Sequence, residues 1–463
     1  MKYHSPLILF TFLIYFTNNV HSFHQSLNIT RSICWDVPDP LNSWYRIQTS
    51  CPTIKSSGSK KRAPINNSEM FITSFQCKVD DSALCKKVKK AFDTAGQIIT
   101  STIKLNTPLL VNATLLDFCK TLNQCPDNLG HVTLGGAGPA RFIPLEGPDG
   151  VQRVYPQALL KQLVQGIDIG FYQYDINAYF NSQMDYWFEG DGSIEPGQSD
   201  FLFVILHELI HGLGFASGWD LYGEILGVPD IITPSPFIFQ ENDGKFIFGG
   251  FQEFILDEFM VLLPEGNRAS EITVELNKFS GIGIKYDSLG DFLNSFATSF
   301  SSSPQYKIAQ QMMARSTTPK TLGILPLNKN DVKDAFILET SISPYRPKSS
   351  ISHCDYATYT NTSDFLMRYL QDPGVSLKES IRLGKNYAGG PIGPKLTETL
   401  TLLGYQIQDL PNPYKPSPGE VGKGSASSLK TFSPRNFQGL SNTTILLFFI
   451  SSIYDYTSIM KGL

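Results

Sequence analysis

The sequence predicts an α+β fold, on three observations. A strand-like segment near residue 176 leads into a capped apolar helix near residue 200, other strand-like runs are separated by Gly and Pro, and a hairpin pattern follows downstream. At 463 residues the chain is long enough for two or three packed lobes. Charged residues make up 17% and the net charge is −4, which leaves no electrostatic footprint for nucleic acid or an anionic membrane surface; no nucleic-acid partner is expected.

Taken in order, Lys2 and the apolar run 7–16 read as an export signal too short to span a bilayer, with Val20-His21-Ser22 at the cleavage positions; residues 1–22 are the expected signal peptide. Seven cysteines follow it (Cys34, Cys51, Cys77, Cys85, Cys119, Cys125 and Cys354). In an oxidising compartment most should pair, leaving one over or joined between chains. Sequons at Asn28, Asn66, Asn112, Asn361 and Asn442 agree with a secretory route to a secreted or cell-surface glycoprotein. Residues 23–62 are polar and close on Lys60-Lys61-Arg62, which fits either the end of a pro-segment or a solvated basic turn.

From about Met70 the pattern becomes globular, with a helix expected over 83–95. In 174–180, Ile176, Ala178 and Phe180 share one face and Asp175, Asn177 and Tyr179 the other, as in a half-buried strand. Ser199 or Asp200 can cap a helix over 201–213, which Gly214 can stop. Residues 237–248 read as a hairpin about Asp243-Gly244, 254–263 as a helix, 301–304 as a loop and 307–315 as a helix. Residues 411–428 are too rich in Pro, Gly, Ser and Lys to order themselves. The short apolar run 444–454, with Gly424, Ser425 and Ala426 upstream, fits either the removed end of a lipid-anchor signal, through which the chain would attach to a membrane, or a disordered or membrane-associating tail.

The chemistry is concentrated in His207-Glu208-Leu209-Ile210-His211, inside the capped helix. Four-residue spacing puts both imidazoles on one face, able to converge on one ion, and Glu208 lies beside them. Zinc held there would lower the pKa of a bound water, and Glu208 is the expected proton acceptor for peptide hydrolysis. The alternative is an accidental pair of histidines, but buried imidazole and carboxylate among Phe203, Val204, Ile205, Leu206, Leu209 and Ile210 need a partner. A catalytic zinc takes three protein ligands. Beyond the signal peptide the remaining histidines are His24, in the candidate pro-segment, His131, in a Gly-rich stretch, and His353, followed fourteen residues later by Met367.

The segment from His207 through Gly214 to Phe215 resembles the zinc helix of metzincin peptidases, in which a glycine three residues after the second histidine turns the chain toward a third. Most of that clan places the third ligand three residues after the glycine, where this chain has Ser217. Leishmanolysin-like peptidases depart in the same way, by a long insertion before a distant histidine and a methionine turn; Ser352-His353 with Asp364-Phe365-Leu366-Met367 is similar to that pair. The resemblance implies His353 as third ligand and Met367 as an apolar base beneath the metal. Asp220, Glu253 and Glu258 are the rival ligands, Tyr369 is a structural residue or a candidate oxyanion group, and Asp355 a structural residue or a candidate partner for a ligand histidine. Cys34 or Cys51 could ligate the metal before processing, although a disulfide between them is the simpler expectation.

The implied architecture is a metzincin-like fold with a twisted mixed sheet, the active-site helix and a smaller C-terminal lobe. Its divisions are 63–216 for the N-terminal catalytic lobe, 217–352 for the insertion, 353–410 for the C-terminal lobe and 411–463 for the linker and tail. A protein or peptide substrate would lie extended on an edge strand, with 137–145 the candidate region. Two other classes compete: an extracellular adhesin or binding protein with a structural metal, and a catalytically dead surface-coat protein.

Overall fold

The computed structural model describes residues 33–42, 44–51, 54–55, 70–126, 132–147, 149–164, 168–169 and 171–408. The expected signal peptide, the basic triplet at 60–62, His24, His131, the sequons at Asn28, Asn66 and Asn442, and the 411–463 tail lie outside them.

The chain is α+β. The elements that place the site are strands β1 (Ile33–Asp36), β2 (Ile47–Ser50), β3 (Phe71–Cys77), β4 (Leu109–Leu116), β5 (Gly135–Pro139), β6 (Arg141–Glu146), β7 (Gln152–Pro156), β8 (Ile176–Asn181), β9 (Ser235–Gln240), β10 (Phe246–Phe254), β11 (Met260–Leu262) and β12 (Leu322–Ile324), with helices α1 (Ser82–Thr102), α2 (Phe201–Gly212), α3 (Leu289–Ser301), α4 (Pro304–Ser316) and α5 (Pro394–Leu403).

A four-stranded sheet in the order β3-β4-β8-β5 carries the site helix. β3, β4 and β8 run parallel, and β5 lies antiparallel on the end. The strand read from 174–180 forms, with Ile176, Ala178 and Phe180 fully buried, but it is not half-buried as expected: Asp175 and Asn177 on the opposite face are buried too, Asp175 against Lys161 and Gln157 and Asn177 donating to the Val37 carbonyl. Phe180 meets Phe92 of α1 and Phe201 of α2 edge-on, at 5.5 and 5.4 Å between ring centroids, so both helices lie against this face.

A second sheet runs β9-β10-β7-β6-β1-β2, and its two edges meet: Gln48 on β2 exchanges hydrogen bonds with the backbone of Gln240 on β9, both at 3.2 Å. It curls around Trp35, Val37, Phe142, Val154, Phe237 and Phe254. One sheet thus draws strands from three regions that the sequence keeps apart. Within the candidate pro-segment β1 pairs with β6, β2 pairs with β1, and β1 is clamped by Arg141, whose guanidinium grips the Asp36 carboxylate at 2.6 and 3.0 Å. Residues 235–254 contribute β9 and β10 about the expected Asp243-Gly244 turn, and β10 docks parallel to β7 where buried Arg153 pairs with buried Glu253 at 3.0 Å.

Residues 254–263 depart from the expected helix. A 3-10 turn, Ile255–Phe259, gives way to β11, which pairs antiparallel with β12. Helical periodicity there loses to a tertiary ladder and to Asp257, whose carboxylate accepts the Phe254 N–H at the start of the turn. Helix α3 was not foreseen; its buried Phe292, Phe296 and Phe300 repeat every four residues and pack against Phe248, Phe251 and Phe279, with Phe296 and Phe300 meeting these rings edge-on.

Cys34–Cys51, Cys77–Cys85 and Cys119–Cys125 are disulfides, and Cys354 is free and buried. Three disulfides point to an oxidising, extracellular-type compartment. Among the described residues no helix is long and apolar enough to cross a membrane. Of the described sequons, Asn361 is exposed, whereas Asn112 is half-buried within β4 and donates to Asn177.

Candidate metal centre

Helix α2 starts at Asp200, whose Oδ1 accepts the N–H groups of Leu202 and Phe203 at 2.9 and 3.3 Å. Its other oxygen accepts the Leu377 N–H at 2.7 Å, tying the helix start to the C-terminal part of the chain. Asp200→Ala removes the cap and leaves a buried N–H unmatched. The expected loss is about 2–3 kcal/mol, measured by urea unfolding. An unchanged midpoint would show the helix start to be held by other contacts.

At its other end α2 stops where predicted. Gly214 has φ +112°, a left-handed conformation that a side chain resists, and the chain turns there. Tyr405, just past α5, donates its hydroxyl to the Leu213 carbonyl at 2.9 Å and pins this end.

The turn and the distant loop bring three histidines together. The Nε2 atoms lie 3.0 Å apart for His207 and His353, 3.2 Å for His207 and His211, and 3.1 Å for His211 and His353. Each Nδ1 faces a backbone carbonyl: His207 that of Leu366 at 2.8 Å, His211 that of Phe215 at 2.7 Å, His353 that of Ser349 at 3.0 Å. A carbonyl only accepts, so every Nδ1 carries the proton and every Nε2 is a bare lone pair. Three acceptors facing one another have no hydrogen to share. These side chains form a buried group able to hold a metal ion, and among the described residues they are the one such cluster of His, Cys, Asp or Glu.

Burial keeps the rings neutral. It pushes His207 down to about 3 and His211 to about 4, and, with its two neighbours, holds His353 well below the ordinary histidine value. A depressed value means that protons compete for these nitrogens only in acid. Bound metal should therefore survive equilibrium dialysis at pH 5.5, below the ordinary histidine value of 6.5, and be released toward pH 3–4. Release centred near 6.5 would contradict the buried site.

Glu208, beside His207, is half-buried, and its Oε2 accepts the Ala137 N–H of β5 at 3.0 Å. Burial pushes its carboxyl up to about 7, opposed by that hydrogen bond. Ala140 N–H bonds to Asp175 O and Asn181 N–H to Leu134 O, so the even-numbered residues of β5 face β8 and Ala137 presents its N–H on the unpaired side. Glu208 on α2 therefore meets the edge of the sheet that no strand pairs among the described residues.

A family model described as SPBPB7E8-like matches residues 24–420. The chain belongs to the SPBPB7E8-like family. It is similar to the uncharacterized protein PB7E8.01 of Schizosaccharomyces pombe, 28% identical over 378 residues that cover 77% of this chain and 65% of the relative, so it spans about two thirds of that relative's length. No solved structure matches.

In this SPBPB7E8-like chain the match takes in the 33–50 strands, the insertion and the His353 loop together. Met367 is fully buried in the 3-10 turn Phe365–Met367, whose Leu366 carbonyl orients His207 and whose Met367 carbonyl accepts the N–H of Cys354, next to His353. Asp355 lies apart from the imidazoles' hydrogen bonds: it caps the short helix Tyr356–Tyr359 by accepting the Thr358 N–H at 2.7 Å. Tyr369 is half-buried and packs on Tyr356. The rival ligands are engaged elsewhere: Asp220 with Trp44, Glu253 with Arg153, Ser270 and Thr273, and Glu258 in the field of Arg153. Sequence reasoning missed the three orienting carbonyls, because a backbone oxygen leaves no mark in residue type.

Proposed function

We propose that this chain is a secreted or surface zinc metalloendopeptidase, of metzincin type and leishmanolysin-like in its long insertion. Three converging, unprotonated Nε2 atoms carry the proposal. Zinc bonds of about 2.0–2.1 Å in tetrahedral geometry separate nitrogens by roughly 3.3 Å, close to the 3.0–3.2 Å found here. Three neutral nitrogen donors are the ligand count of catalytic zinc, which when bound acidifies water and polarises a carbonyl.

The chain's own residues supply the rest. Glu208 is the general base, held by Ala137 at the open edge of β5. That edge can hold an extended peptide by strand addition, which fixes a backbone without demanding a sequence. Leu366, Phe215 and Ser349 carbonyls orient the three imidazoles, and Met367 fills the apolar turn that carries one of them. An export signal and three disulfides support secretion.

Metal analysis of the purified protein should give one zinc per chain, and casein hydrolysis should stop when a chelator removes it. Zinc-loaded protein that cleaves no peptide would instead favour a binding protein with a structural metal. The acid limb of kcat/KM should lie above 4.5, the ordinary glutamate value, and at or below about 7, since burial raises the Glu208 carboxyl and a cation lowers it. Activity is then lost as pH falls through that window; a limb at or below 4.5 would remove Glu208 as the base.

A further inference from the structure

Ser217 stands where simple metzincin spacing would put the third histidine, and its side chain is turned onto the insertion instead. Its hydroxyl donates to Asp257 Oδ1 at 2.7 Å. The other oxygen of that carboxylate accepts the N–H of Gly218 and of Phe254, both at 2.8 Å. Asp257 is fully buried. A Cβ on Gly218 would stand 2.8 Å from the Phe254 nitrogen and 2.9 Å from Asp257 Oδ2, so the segment approaches this carboxylate as closely as only glycine permits.

The clamped segment leads to two of the three ligands. Phe215, two residues before Ser217, supplies the carbonyl that orients His211. Ser217 also donates its backbone N–H to Ser352 Oγ at 3.3 Å, immediately before His353. A shift of 215–218 would therefore turn one imidazole and displace the loop that carries another.

We infer that Asp257 is a positioning residue of the metal centre: through Ser217 and Gly218 it fixes the orientation of His211 and the place of the His353 loop. It is a link from the insertion to the metal, with no contact to the metal itself. The inference rests on the metal reading above but not on peptidase activity.

The test compares zinc affinity, by competition with a chromogenic chelator, and the visible spectrum of the cobalt-substituted protein, on the full secreted chain. Asp257→Asn and Ser217→Ala should keep the wild-type circular dichroism and elution volume, bind zinc about 10–100-fold more weakly, and shift the cobalt bands. Asp175→Asn is the control: that carboxylate is equally buried, bonded to Lys161 and Gln157 and outside 214–218, so it should leave both readouts at wild-type values. Wild-type affinity and spectrum in both test variants would overturn the inference, as would equal losses in the Asp175 control. Ser217→Ala deletes a single hydroxyl and decides the matter alone should Asp257→Asn not fold. If wild type takes up no zinc or cobalt, the metal reading itself fails, a result visible before any variant is compared.

Discussion

Glu208→Gln is expected to lower casein hydrolysis by about 10²–10⁴-fold, the usual contribution of a positioned general base, while leaving one zinc per chain. Glutamine matches glutamate in size, and its amide oxygen can still accept the Ala137 N–H, so the edge strand and helix should stay in place. What is lost is the proton acceptor. Initial rates of wild type, wild type with chelator and the variant decide it. Equal rates in all three would end the peptidase proposal and leave the metal to a structural role, as in the adhesin or binding-protein alternative.

His353→Ala should have the second large effect, on metal retention. Two ligands one helical turn apart remain, so zinc affinity should fall by more than the about 10–100-fold that loss of an outer partner costs. Zinc should raise the thermal midpoint of wild type, because a ligand that binds the folded state stabilises it in proportion to its affinity. The same zinc should leave the variant's midpoint nearly unmoved. Retained stoichiometric metal and activity would transfer the third-ligand role to another side chain, and would require Asp220 or Glu253 to leave the partners that now hold them.

The zinc-helix segment was legible because its information is local. Asp200, the apolar run, the i,i+4 histidines and Gly214 lie within fifteen residues, and each acts through its own backbone or the next turn. His353 lies 146 residues from His207 and was reached only through a resemblance, since no local rule connects the two. The strand at 176–181 announced itself by alternation, and the 235–254 hairpin by its Asp-Gly turn.

Other parts gave no such signal. β1 and β2 are four residues each in a polar stretch; β2 is a strand because it pairs with β1, and β1 because it pairs with β6, a hundred residues away. The run at 254–263 satisfies a helical pattern, yet pairing with β12 and the pull of Asp257 on the Phe254 N–H set its conformation.

By itself, then, the sequence determined the α2 helix with its cap and stop, the two histidines and the carboxylate upon it, the excess of one cysteine over three pairs, and the alternating strand beneath. Only the tertiary structure decided that His353 joins the pair, that three backbone carbonyls leave all three Nε2 atoms bare, and that Glu208 meets the open edge of β5. The division has one physical reason. Helix caps and periodic faces are set by neighbours along the chain, whereas the direction of a lone pair is set by whatever the folded chain places opposite it.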